Sequence, residues 1–127
     1  MKTNTIFEGA ATALITPMNK DGVDYPALKK LIEWQIEEGI DALVICGTTG
    51  EGSTMTDAEH KEVLRFSLEV AAGRIPMIAG TGSNDTAYAV SRVFLVISTT
   101  ATLYKALHKD GRNHISEVVR LYFYVNP

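Results

Sequence analysis

"VICGTTGEGST", residues 44–54, is the stretch on which the fold turns. An apolar run stops at Cys46, and Gly47, Thr48, Thr49, Gly50 and Glu51 follow directly. A segment of helical periodicity comes next. The order is that of a strand leading through a tight turn into a helix, the unit from which parallel α/β folds are built.

The same unit recurs on both sides. "GAATALITP" (9–17) is short, apolar and closed by proline, and reads as a buried strand. "NKDGV" (19–23) is a turn. Residues 24–39 read as a helix, with Asp24 as N-cap, Pro26 in the first turn and Gly39 as the stop. Leu28, Leu31, Ile32, Gln35 and Ile36 form its inward face, and Trp34 is expected to pack the helix against the strands. "DALVIC" (41–46) is a second strand. A second helix covers 56–73, where Thr56 and Glu59 have capping-box spacing and Val63, Phe66 and Val70 mark the apolar side. "IPMIAG" (75–80) is a third strand, and "SNDTAYAV" (83–90) opens a third helix.

Strands and helices alternating at this pitch predict right-handed parallel crossovers. The strands are apolar throughout, which predicts burial on both faces. Their ends carry Thr16, then Gly47–Thr48–Thr49, then Gly80–Thr81–Gly82. Ligands in parallel α/β folds sit at the C-terminal ends of strands, so these three ends predict one site. After Val90 the rhythm changes. The third helix is expected to last about two turns before a strand-like run at 93–97. "HISEVVRLYFYV" (114–125) fits either a helix on Ile115, Val118, Val119 and Tyr122 or a terminal strand.

Composition narrows the function classes. The 127 residues are 46% hydrophobic and 21% charged, with 12 basic against 15 acidic side chains. No basic stripe exists for nucleic acid or an anionic membrane. No apolar stretch reaches the roughly 20 residues that span a bilayer. The N-terminus reads as a first strand rather than a signal peptide. A lone cysteine, Cys46, forms no internal disulfide and suits a reducing cytoplasm. His60, among charged neighbours, is expected at the surface, and His108 and His114 lack metal-ligand spacing. No metal or cofactor is expected.

Three occupants of the turn are consistent with its residues. A phosphate loop is one, since "GTTGEGST" has the glycine spacing; it lacks the phosphate-pairing lysine, and Glu51 would repel an anion. A small carboxylate is the second, held by the hydroxyls of Thr48 and Thr49 and by backbone N–H groups. The third is nothing at all: the glycines permit the turn, the threonines bond local backbone and Glu51 ties down a loop.

Residues 5–90 resemble the dihydrodipicolinate synthase and N-acetylneuraminate lyase family of pyruvate-dependent class I aldolases, which are (β/α)8 barrels. The resemblance rests on "TALITPMNKDGVDYPALKKLIEWQIEEGIDALVICGTTGEGSTMTDAEHKEVL" and "GRIPMIAGTGSNDTAYAV". "GTTGE" is similar to the family's pyruvate-carboxylate loop, and the Thr-Thr pair resembles the synthases more than the sialic-acid lyases. The resemblance implies α/β architecture, specifically a partial TIM barrel of three to four βα units over residues 1–90, with a divergent segment over 91–127. It implies condensation of pyruvate with aspartate semialdehyde through a Schiff base, in lysine biosynthesis, by a family of homo-oligomers. Thr48 would belong to the hydroxyl proton relay and Thr49 would bind the pyruvate carboxylate. Gly47 and Gly50 would let the backbone approach it.

The family's "TPYYN" segment and Schiff-base lysine lie beyond the matched region, and "FLVISTTATLYK" stands nearest to the former. Lys105 and Lys109 sit in a solvated context unsuited to a desolvated amine nucleophile. Tyr104, Tyr122 and Tyr124 read as packing residues. A closed barrel takes about 250 residues, so an open arc with an apolar layer facing water is expected. The expectation is a truncated or frameshifted synthase, inactive alone, with the change near Ser91. A different aldolase or lyase of the same family, and a non-catalytic interaction fragment, are the alternatives.

Overall fold

A computed structural model describes residues 8–107 and 121–124. The elements are β1 (Ala11–Ala13), β2 (Met18–Asn19), β3 (Gly22–Val23), α1 (Tyr25–Glu37), β4 (Ala42–Ile45), α2 (Asp57–Ala71), β5 (Met77–Gly80), α3 (Thr86–Leu107) and β6 (Leu121–Tyr124). Four of the strands make one parallel sheet in the order β1-β4-β5-β6, and β2 and β3 form a small antiparallel hairpin. Each new strand joins on the same side of the last, without the reversal of a doubly wound sheet. α1 packs on α2 and α2 on α3. A sheet that grows in one direction under a row of adjacent helices is an arc of a (β/α)8 barrel.

Local chemistry explains the helix boundaries. The Asp24 carboxylate accepts the Ala27 N–H at 3.0 Å and Pro26 occupies the first turn, which starts α1. Gly39, at φ 82°, takes the chain out of it. Thr56 and Glu59 close a reciprocal capping box at the start of α2, and left-handed Ala72 ends it. Leu28 and Ile32 of α1, Val63 and Leu64 of α2, and Leu43, Ile45, Met77 and Ala79 of the sheet form the core. Tyr25 and Phe66 meet edge to face at 5.0 Å between α1 and α2.

Among the described residues the sheet is covered on one face only, which corrects the reading of strands buried on both sides and agrees with the expected open arc. The Thr12 hydroxyl donates to Gln35 Oε1 of α1 at 2.7 Å, so Thr12, Leu14 and Thr16 lie on the helix side. Leu43, Ile45, Met77 and Ala79 share that side by register and are buried. On the opposite side, Ala42 is buried. Ala11, Ala13 and Ile15 are exposed there, and Val44 and Ile78 are half-buried. No described element lies over them. β1 is also shorter than the apolar run 9–17 suggested, and among the described residues it pairs with β4.

Two further expectations are overturned. The run 93–97 lies inside α3, a helix of 22 residues, and is not a strand. Ala89, Arg92 and Val96 are buried at helical spacing, so tertiary contact outweighs the strand preference of a Val/Phe/Ile-rich stretch. Trp34 is 52% exposed rather than packed against the sheet. It sits away from the face that carries Leu28 and Ile32. Of the segment 114–125, residues 121–124 are strand β6, which agrees with the strand alternative there. Residues 114–120, and with them His108 and Lys109, lie outside the described residues.

Candidate functional site

β4 ends at Ile45, and the chain turns at once because Cys46 adopts a left-handed φ of 56°. The turn then closes on itself. Gly52 N–H donates to Gly47 O at 3.2 Å, Glu51 N–H to Thr48 O at 3.1 Å, and Thr54 N–H to Glu51 O at 3.0 Å. The Thr54 hydroxyl also donates to Glu51 O, at 2.9 Å.

Neighbouring strand ends are fastened to this turn. From beyond β1, the buried Thr16 hydroxyl donates to Gly50 O at 2.7 Å. From β5, Gly80 presses against the start of the turn. A Cβ on Gly80 would stand 2.2 Å from Cys46 O and 2.6 Å from Gly47 N, so only glycine fits. Gly52 is held as tightly, with its hypothetical Cβ 2.1 Å from Cys46 O. Gly50 is buried, and Gly47 is half-buried. The ends of β1, β4 and β5 therefore converge on one turn.

Thr48 and Thr49 are both exposed at this C-terminal end of β4. Among the described residues neither hydroxyl is spent on a hydrogen bond, whereas those of Thr16 and Thr54 are. Exposure alone would suit any solvated turn. The reading in which both threonines bond local backbone is therefore not what the described residues show.

Beneath the turn lies a polar layer that the sequence reading did not assemble. His60 is fully buried, which corrects the surface expectation. Its Nε2–H donates to Gly80 O at 2.8 Å, since a carbonyl can only accept. Burial pushes the imidazole pKa below 6.5, with the Gly80 hydrogen bond opposing. Arg92, from α3, is buried and donates from Nη2 to Gly52 O at 3.2 Å. Its guanidinium lies 4.8 Å from the centre of the Tyr88 ring, and Tyr88 donates its phenol to Asp57. Thr81 is buried, and its Oγ1 has no partner among the described residues.

Charge and thiol chemistry at the turn is muted. Burial drives the Cys46 thiol up to about 12, so it stays protonated. Among the described residues no cluster of His, Cys, Asp and Glu could hold a metal ion. No described helix is long and apolar enough to cross a membrane.

A signal for His60 was present in the sequence. His60, Val63, Leu64, Ser67 and Ala71 follow the helical repeat and form the buried face of α2. Arg92 carried no such signal, because it falls where the strand–helix rhythm breaks. Gly52 and Gly80 are legible as glycines but not as contacts, since the atom they make room for, Cys46 O, belongs to a residue distant from Gly80 in the chain.

Comparison with known proteins agrees with this geometry. Residues 6–95 match the Dihydrodipicolinate synthetase family. A 4-hydroxy-tetrahydrodipicolinate synthase of Acetivibrio thermocellus is 59% identical over 85 residues, covering 67% of this chain and 29% of that protein. One from a Thermoanaerobacter species is 56% identical over the same shares. Among solved structures, dihydrodipicolinate synthase from Aquifex aeolicus superposes with a TM-score of 0.72 at 35% identity, over 94% of this chain and 44% of that one. The chloride-inhibited synthase of Acinetobacter baumannii, solved with pyruvate, gives 0.73 at 36% identity over 95% and 45%. The chain spans less than a third of the length of these curated relatives. With a family model matched over residues 6–95 and a fold shared with these solved structures, the chain belongs to the dihydrodipicolinate synthetase family.

Proposed function

We propose that this chain carries the pyruvate-carboxylate end of a class I aldolase site of the 4-hydroxy-tetrahydrodipicolinate synthase type, which condenses pyruvate with aspartate semialdehyde through a Schiff base. The observation that carries the reading is the pair of unspent hydroxyls, Thr48 and Thr49, on a turn fixed by Thr16, Gly80 and Arg92. Thr49 donates to the carboxylate. Thr48 both accepts and donates, and so passes a proton in the relay. Gly47 and Gly50 let the backbone approach the ligand, and Gly50 also leaves room for Leu14 O, which a Cβ there would meet at 2.9 Å. The reaction calls for no metal or cofactor, and a biosynthetic step of this kind places the chain in the cytoplasm.

The chain alone forms no Schiff base, because residues 91–127 supply no lysine in the family's context. Two measurements test the reading. Pyruvate added to the 15N-labelled chain shifts the amide resonances of residues 47–50, and a Thr48→Val/Thr49→Val variant loses the response. An unresponsive turn in the folded wild type removes the carboxylate site. Borohydride treatment in the presence of pyruvate leaves the intact mass unchanged, and a reduced pyruvyl adduct on any lysine refutes the inactivity of the chain.

A further inference from the structure

Arg92 is a charged residue at a position where a core takes an apolar one. It lies on α3, is 4% exposed, and shares the buried face of that helix with Ala89 and Val96. Burying a guanidinium is unfavourable unless its donors and its charge are satisfied. Charge pairing offsets little of that cost, because the Asp57 carboxylate stands 3.7 Å from Nε on a side chain that is 59% exposed. Nε itself makes no hydrogen bond among the described residues. The hydrogen bond that the guanidinium does make among them runs from Nη2 to Gly52 O at 3.2 Å. A buried cation directed at one carbonyl draws attention to what that carbonyl does.

Gly52 is the residue that closes the turn. Its N–H donates to Gly47 O at 3.2 Å, which encloses Thr48 and Thr49. Its Cα is wedged against Cys46 O, where a Cβ would stand at 2.1 Å. With N–H and Cα so placed, the C=O is the group left to set the tilt of the peptide plane that follows. Two other carbonyls around the turn are drawn inward in the same way, Gly50 O by the Thr16 hydroxyl at 2.7 Å and Gly80 O by His60 Nε2–H at 2.8 Å. A carbonyl oxygen is the negative end of the peptide dipole, so a turn that holds an anion keeps such oxygens away from it. Thr48 and Thr49 stand on the exposed side, opposite these buried bonds. Arg92 is placed in turn by Tyr88, whose ring centre lies 4.8 Å from the guanidinium and whose phenol donates to Asp57.

We propose that Arg92 is a positioning residue for the Thr48–Thr49 site, and that through Gly52 O it fixes the turn in the shape that accepts a small carboxylate. α3 thereby sets the affinity of a site built at the end of β4. The identity of the ligand rests on the aldolase reading above; the hold on the turn does not.

Amide hydrogen exchange of the 127-residue chain separates a local hold from a general contribution to stability. In Arg92→Met, which keeps an unbranched stem without the donors, Gly52 N–H is expected to exchange roughly tenfold faster than in the wild type. Leu43 N–H, bonded to Pro76 O at 3.1 Å at the opposite end of the strands, is expected to keep its rate. The dissociation constant for pyruvate, read from the amide shifts of residues 47–50, is expected to rise roughly tenfold in Arg92→Met. It recovers in part in Arg92→Lys, whose ammonium keeps the charge and can donate to one carbonyl. Tyr88→Leu frees the guanidinium without altering it and accelerates Gly52 exchange to a lesser degree. Should Arg92→Met fail to fold, Tyr88→Leu decides by the same comparison of Gly52 with Leu43. Equal acceleration at Gly52 and Leu43 overturns the proposal, because it reports lost global stability alone. So does an unchanged Gly52 rate, an unchanged pyruvate affinity in folded Arg92→Met, or the absence of any recovery in Arg92→Lys. A wild-type turn that ignores pyruvate removes the aldolase reading, and the exchange rates then judge Arg92 by themselves.

Discussion

His60 shows how a single residue changes meaning when the fold is known. By composition it belongs to a charged stretch; by position it is the first buried residue of α2 and the support for Gly80 O. Its folded pKa lies below 6.5 because burial disfavours the charged ring. The unfolded chain therefore takes up this proton first as the pH falls, and stability drops with it. The contribution of a neutral His60 is complete above about pH 6.5 and is lost as the pH falls toward and through the lower folded value. Urea unfolding between pH 8 and pH 5 should show midpoints that decline over this window in the wild type, with a shallower decline in His60→Asn. Parallel curves for the two proteins would remove His60 as the source. Gly80 makes the complementary point. The imidazole holds its carbonyl while its missing side chain admits Cys46 O, so one residue serves two elements.

At the scale of elements, helix ends were the most legible features because their chemistry is local. Asp24 with Pro26, and Thr56 with Glu59, announce α1 and α2 in a few adjacent letters, and the structure forms both caps. Thr56→Ala removes the acceptor for Glu59 N–H and the hydroxyl that donates to Glu59 Oε2 at 2.7 Å. The expected loss is about 1 kcal/mol, read from chemical denaturation. A change within error would mean that tertiary packing alone starts α2. The exposed ion pairs of Arg65 with Glu62 and Glu69 add little beside this, since surface pairs are screened by water. α3 was misread for the opposite reason. "RVFLVIS" (92–98) has the composition of a strand, and its helical state goes with the burial of Ala89, Arg92 and Val96 as α3 packs on α2 and Arg92 reaches the turn after β4. No local residue marks that choice.

For the whole molecule, the sheet face opposite the helices is the least covered part among the described residues. An apolar sheet face without a cover forfeits about 25 cal/mol for every Å² of apolar surface left in water. The sequence by itself determined the periodic features: alternating strands and helices, the caps, the glycine and threonine turn at 47–50, and the family's signature within it. These are written within a few residues of one another, so short-range physics reads them. Tertiary structure alone decided which strand face is covered, that α3 continues past residue 93, that Trp34 faces outward, and that His60 and Arg92 lie beneath the turn. Each of those depends on groups brought together from distant parts of the chain, and burial is a property of the neighbours a residue finds after folding, not of the residue itself.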